Sequence, residues 1–131
     1  GLVELMLSGC ATVADHNYIH YPGMPFDSSA ILFEEAERLG LRFVLCRGGM
    51  TRFQPGFEDA TPEYLSPEPV EAIIADVERL AHRYHDPSPH AHRRVVMAPT
   101  TPAHRVHPQE LVAMARAARR LGLRLHTHLS E

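Results

Sequence analysis

The sequence predicts an α/β chain with a parallel sheet, part of a (β/α)8 TIM barrel from about its second strand to its fifth. Three observations carry that expectation. Apolar residues alternate between a helical period and short strand-like runs along the 131 residues. The sequence Leu39-Gly40-Leu41-Arg42 recurs as Leu121-Gly122-Leu123-Arg124, each time where a helical pattern gives way to a strand. Loops after the strands are long and those before them short, the asymmetry of a barrel whose site is built by the loops following its strands. Four strands make half a barrel, and the whole chain reads as a single partial domain. An open doubly wound sheet would show the same alternation and stays as the alternative.

Taken in order, Leu2, Leu5 and Met6 form a short helical stripe closed by Gly9, and Cys10 to Ala14 reads as a buried strand ending at Asp15-His16. Asn17 to Pro25 is a loop. Asp27-Ser28-Ser29 offers a cap to a helix from about Ala30 to Leu39. Leu41 to Cys46 is the second strand, and a long loop runs from Arg47 to about Pro67. Val70, Ile73, Ile74, Val77, Leu80, Ala81 and Tyr84 then mark one buried helical face. Arg94 to Ala98 is a third strand stopped by Pro99, and Pro108 begins a helix that Gly122 closes. Leu123 to His128 is the fourth strand.

A net charge of −3 and the lack of a Lys/Arg run give no footprint for nucleic acid. No apolar stretch approaches the roughly 20 residues needed to span a bilayer, and no signal peptide is visible. Two cysteines in apolar runs, Cys10 and Cys46, read as buried thiols and fit a reducing, cytoplasmic setting. The ten histidines are the outlier.

The strongest chemical signal is His126-x-His128-x-x-Glu131. Strand residues at i and i+2 share a face, so the two imidazoles can project together, and a carboxylate in the next turn can reach water held there. Against this stands a structural reading, in which the histidines are half-buried strand residues and Ser130-Glu131 caps a following helix. His90 and His92 precede a strand, at the stability end of a barrel, while His82, His85, His104 and His107 have no evident partner. Asp15-His16 lies better, directly at a strand end. Arg47-Gly48-Gly49 could be a weak phosphate-cradling turn, or Arg47 could meet an anionic or carbonyl-rich substrate at the rim. Pro99-Thr100-Thr101-Pro102 places two hydroxyls at the same level.

Leu125 to Glu131 resembles the fifth-strand motif of the amidohydrolase superfamily, in the branch of cytosine, guanine, 8-oxoguanine and isoxanthopterin (pterin) deaminases. Ala98 to Pro102 is similar to that branch's fourth strand, and Thr12 to His16 to its second. The stretches Asp15 to Ser29 and Phe43 to Gly49 look closest to isoxanthopterin deaminase. The resemblance covers essentially the whole chain and implies an internal segment of a larger hydrolytic deaminase acting on a small heteroaromatic molecule, a pterin or purine-like ring. It implies that His128 is a metal ligand and Glu131 the proton-shuttling acid, with one divalent metal, zinc or else iron, activating water. Thr100, Arg47 and His16 are the residues it offers to the substrate; His126 has no fixed role in it. Pro102 to Val106 departs from the aromatic-containing loop of relatives. The strand-one His-x-His, a later His and a strand-eight Asp lie outside the segment, so these residues alone are expected to be inactive and marginally folded, with open strand edges. A triazine-type aminohydrolase and a non-catalytic α/β binding module are the alternatives, and a homo-oligomer of the parent enzyme is left open.

Overall fold

The computed structural model describes residues 1–60 and 62–129; Thr61, Ser130, Glu131 and the Glu63 side chain lie outside the described residues. Helix α1 (Leu2–Leu7) leads into strand β1 (Thr12–Asn17), helix α2 (Ser28–Leu39) and strand β2 (Arg42–Gly49). Helix α3 (Val70–Tyr84), strand β3 (Arg93–Pro99), the four-residue α4 (Pro102–Arg105) and α5 (Pro108–Arg120) follow. Asp27 caps α2, its carboxylate accepting the Ala30 N–H at 3.0 Å, and Gly40 ends that helix in the left-handed region at φ 73°. No helix among the described residues is long and apolar enough to cross a membrane.

The strands pair in parallel in the order β1-β2-β3, with Val13 opposite Phe43 and Leu45 opposite Val95. Side chains alternate faces along each strand, which divides the sheet cleanly. Val13, Phe43, Leu45, Val95 and Met97 point to one face and join Phe33, Ile73, Val77, Leu80 and Met114 in a single core. Phe33 stacks on Tyr84 at 4.3 Å between ring centroids. Each fully buried side chain of this kind contributes on the order of 1.5–3 kcal/mol. Val44 and Val96, on the other face, are only half-buried. Sequential strand order with right-handed crossovers puts every connecting helix on the same side. A doubly wound sheet would carry helices on both faces, so the arrangement is that of a partial barrel, with the helix-free face as its interior.

Two strands run further than the sequence pattern indicated. Asp15 and His16 lie inside β1, and Arg47, Gly48 and Gly49 lie inside β2. The paired glycines are therefore not a phosphate-binding turn. A Cβ on Gly48 would stand 2.5 Å from Tyr18 Cβ and 2.9 Å from the His16 ring, while one on Gly49 would stand 2.6 Å from Ile73 Cδ1. Glycine is needed here for close approach on both faces of the strand.

The fourth strand is shorter than expected, a single parallel bridge between Met97 and Leu125. Met97 N–H donates to Arg124 O at 3.1 Å and His126 N–H to Met97 O at 3.0 Å. The ladder stops there for a local reason. Pro99 has no N–H to extend it, and its carbonyl accepts the Thr127 hydroxyl at 2.7 Å.

Candidate metal centre and its adjoining cleft

The interior face at the carboxyl ends of the strands collects three imidazoles. His16 projects from β1, while His126 and His128 project together from the extended segment beyond α5, two residues apart and therefore on one side. One candidate ligand atom from each of the three lies within 4.8 Å of the others, and all three side chains are half-buried. The His16 ring centroid is 4.4 Å from that of His128 and 5.3 Å from that of His126. Residues about 110 apart in sequence meet here because the register places His16 beside Cys46 and that strand beside β3, which in turn bridges to Leu125.

Thr100 fixes the arrangement. Its Oγ1 accepts the Gly49 N–H at 3.1 Å and lies 2.9 Å from His16 Nε2. Thr100 is 4 % exposed, so the bond sets the His16 ring orientation and ties its tautomer to the hydroxyl rotor. Cys46, opposite His16 in the ladder, is held as a thiol: burial and the Asp15 charge push it up to about 11. It therefore offers no thiolate beside the imidazoles.

The donor set fits a divalent metal of the zinc class. Neutral imidazole nitrogen is a standard ligand for such ions, and a hydroxyl bonded to one ring is the kind of outer contact that orients a ligand. The residues that would hold it are His128 and its two neighbours, His126 and His16.

Beside His128 opens a cleft of about 210 Å³, lined by Tyr18, Met50, Leu65, Thr100 and Arg105 among others. Thr101, on its wall, adopts φ 44° and ψ 65°, a left-handed conformation costly for a β-branched residue, and begins α4. Neither the short helix nor the place of Arg105 on the cleft wall was visible in the sequence pattern. Tyr18 was lost in a loop without periodicity.

Arg47 is placed otherwise than the sequence suggested. It shares the face of Leu45 and Gly49, pointing at the helices and away from the imidazoles. It is 2 % exposed. Its Nε donates to Asp76 Oδ2 at 2.8 Å, and Nη1 and Nη2 donate to the two oxygens of Glu68, each at 2.8 Å. Nη1 also donates to the Gly48 carbonyl. Burial opposes ionisation of Asp76, but Arg47 and then Arg79 outweigh it and hold the carboxyl below its ordinary range. Arg79 passes the network on to Asp27 at 2.7 Å, tying the cap of α2 to α3. With its guanidinium so engaged, Arg47 braces the rim from the helix side and cannot also meet a ligand on the interior face. Glu131 lies outside the described residues.

The amidohydrolase family model matches residues 1–131, the whole chain. The chain belongs to the amidohydrolase family. Among curated relatives of this amidohydrolase, an isoxanthopterin deaminase from an unknown prokaryotic organism is 66% identical over 131 residues, 100% of this chain and 27% of the relative. A hydroxydechloroatrazine ethylaminohydrolase of Pseudomonas sp. (strain ADP) is 43% identical, covering 99% of this chain and 26% of the relative. An 8-oxoguanine deaminase of Pseudomonas aeruginosa is 38% identical, covering 99% and 28%. The chain thus spans about a quarter of the length of these relatives. Among solved structures, an amidohydrolase from an environmental sample of the Sargasso Sea matches with a TM-score of 0.90 and 65% identity, over 98% of this chain and 30% of that one. An atrazine chlorohydrolase from Arthrobacter aurescens TC1, complexed with zinc, matches with a TM-score of 0.80 and 33% identity, over 97% and 27%.

Proposed function

We propose that this chain is the segment from about strand two to strand five of a metal-dependent aminohydrolase that releases ammonia from a pterin or purine-like ring of the isoxanthopterin or 8-oxoguanine type. The observation that carries the reading is the convergence of His16, His126 and His128 beside a cleft at the carboxyl ends of the strands. The similarity to isoxanthopterin deaminase, higher than to the triazine enzyme or 8-oxoguanine deaminase, supports the choice of ring.

In this reading His128 is the metal ligand the resemblance assigns to the segment, His126 and His16 are the imidazoles within reach of the same ion, and Thr100 keeps the His16 ring in place. When bound, a zinc-class ion supplies Lewis acidity that brings the pKa of water toward ~7. Glu131, three residues beyond His128, accepts a proton from water and delivers it to a ring nitrogen. The amine-bearing carbon becomes tetrahedral as water adds. The proton left on the new hydroxyl passes to the amine through Glu131, and the C–N bond breaks as the carbonyl forms, with ammonia as the leaving group. Thr100 lines the substrate's side of the site, with His16 bonded behind it, and the walls of Met50 and Leu65 keep bulk water from the flat ring.

Ammonia release by the full-length protein, given isoxanthopterin, 8-oxoguanine and an amino-substituted triazine in parallel, tests this directly. Turnover of either fused ring above the triazine is expected. Ammonia or alkylamine from the triazine alone would move the assignment to that branch, and none from any ring in a metal-loaded protein would sink the deaminase reading.

A further inference from the structure

We propose that Arg105 reads a ring carbonyl on the part of the substrate remote from its amine, which makes it the residue selecting oxo-substituted rings. The inference rests on the aminohydrolase reading and names the substrate feature recognised at that same site.

The cations near the rim differ in what they meet. Arg47 is matched by two carboxylates, and Arg79 by Asp76 and Asp27. Arg52 donates to the Ala103 carbonyl at 3.0 Å. Arg105 alone of these lines the cleft beside His128. Its Nη1 lies 3.5 Å from Met50 Sδ and its Nη2 donates to Gln54 Oε1 at 3.3 Å, long contacts to neutral acceptors. No carboxylate of the described residues pairs with it. A guanidinium carries five N–H donors and keeps its charge at any working pH, so most of its donor capacity is uncommitted.

Its backbone is not loose. The Arg105 carbonyl accepts Thr51 N–H at 2.8 Å and Arg52 N–H at 3.2 Å, and Thr51 Oγ1 accepts the His107 N–H at 3.1 Å. The loops after β2 and β3 are thereby stitched together, with the cation held at their junction. The cleft has apolar walls at Met50 and Leu65, where water competes weakly and a charge-assisted hydrogen bond gains strength. His128 and Arg105 line the same small cleft, so one flat ring system can present its amine toward the first and an oxygen toward the second.

The chemistry that satisfies such a cation is a carbonyl oxygen, or the enolate it becomes on losing a ring proton. Isoxanthopterin and 8-oxoguanine each carry a carbonyl on the ring that does not bear the amine, and pterin and guanine are the same skeletons without it.

The test is kcat/KM for ammonia release by the full-length protein on these four rings, in the wild type and in Arg105→Met and Arg105→Lys. The wild type is expected to favour each oxo ring over its plain counterpart. Arg105→Met should lower kcat/KM on the oxo rings about tenfold to a hundredfold, mainly through KM, and leave the plain rings nearly unchanged. Arg105→Lys should recover part of the loss. Because the readout is a ratio within one preparation, partial misfolding of a variant cancels. An equal fall on all rings in Arg105→Met, or a wild type indifferent to the carbonyl, overturns the assignment of Arg105 alone. Absence of ammonia from all four rings in the wild type overturns the aminohydrolase reading and this inference with it.

Discussion

Replacing Arg47 with methionine is expected to destabilise the full-length protein by about 3–5 kcal/mol, the cost of leaving buried charges without their partner. Arg47 is almost fully buried, and its guanidinium is the shared counter-ion of Glu68 and Asp76, which are themselves largely shielded. Methionine matches the length of the stem but supplies no donor, so both carboxylates lose their strongest contact and the Gly48 carbonyl loses one as well. Urea unfolding at neutral pH with an unchanged slope measures the loss. A change below about 1 kcal/mol would mean the network behaves as an exposed ion pair does. The same variant changes the acid limb. Asp76 has a lowered carboxyl pKa in the folded state, so its contribution is present above the ordinary carboxyl value near 3.9 and lost as pH falls through the lower folded value. Without Arg47 that contribution shrinks at neutral pH, and the variant should lose less on acidification.

Glu131→Gln is expected to lower kcat of the full-length protein by about 10²–10⁴-fold, the range for loss of a general acid–base group, with KM and metal content little altered. Glutamine keeps the size and the hydrogen-bonding reach of glutamate but cannot take a proton from water. Steady-state ammonia release on the preferred ring gives kcat and KM separately. A variant retaining near wild-type kcat would remove Glu131 from the proton path and leave the His128-x-x-Glu131 spacing without its chemical meaning.

Much of this was legible in the residues themselves. The Gly40 and Gly122 turns, the Asp27 cap and the apolar face of α3 depend on neighbours close in sequence, and each appears where its pattern places it. The shared face of His126 and His128 likewise follows from strand geometry. What was not legible depends on register. Nothing in the sequence places His16 beside His128, or turns Arg47 toward Asp76 instead of the interior, because a shift of one residue reverses every side chain on a strand. Strand ends were underestimated for a related reason. Polar residues mark strand limits, so Asp15-His16 read as a strand's end and Arg47 as the start of a loop, yet the carboxyl ends of barrel strands are where such residues are needed. The left-handed Thr101 and the four-residue α4 carry no local signal, since proline at the start of α4 fits a turn equally well. Arg105 reaches the cleft only because the loops after β2 and β3 meet, a contact between distant segments that no local pattern encodes.

The central claim is that His128, with the imidazoles gathered around it, belongs to a metal site. The measurement that tests it most directly is the zinc and iron content per chain of the purified full-length protein, compared with that of His128→Asn. Asparagine keeps a polar side chain of similar reach and removes the imidazole nitrogen. The account predicts a bound divalent metal in the wild type and its loss from a variant that remains folded. A folded His128→Asn protein retaining the full wild-type metal content would contradict it.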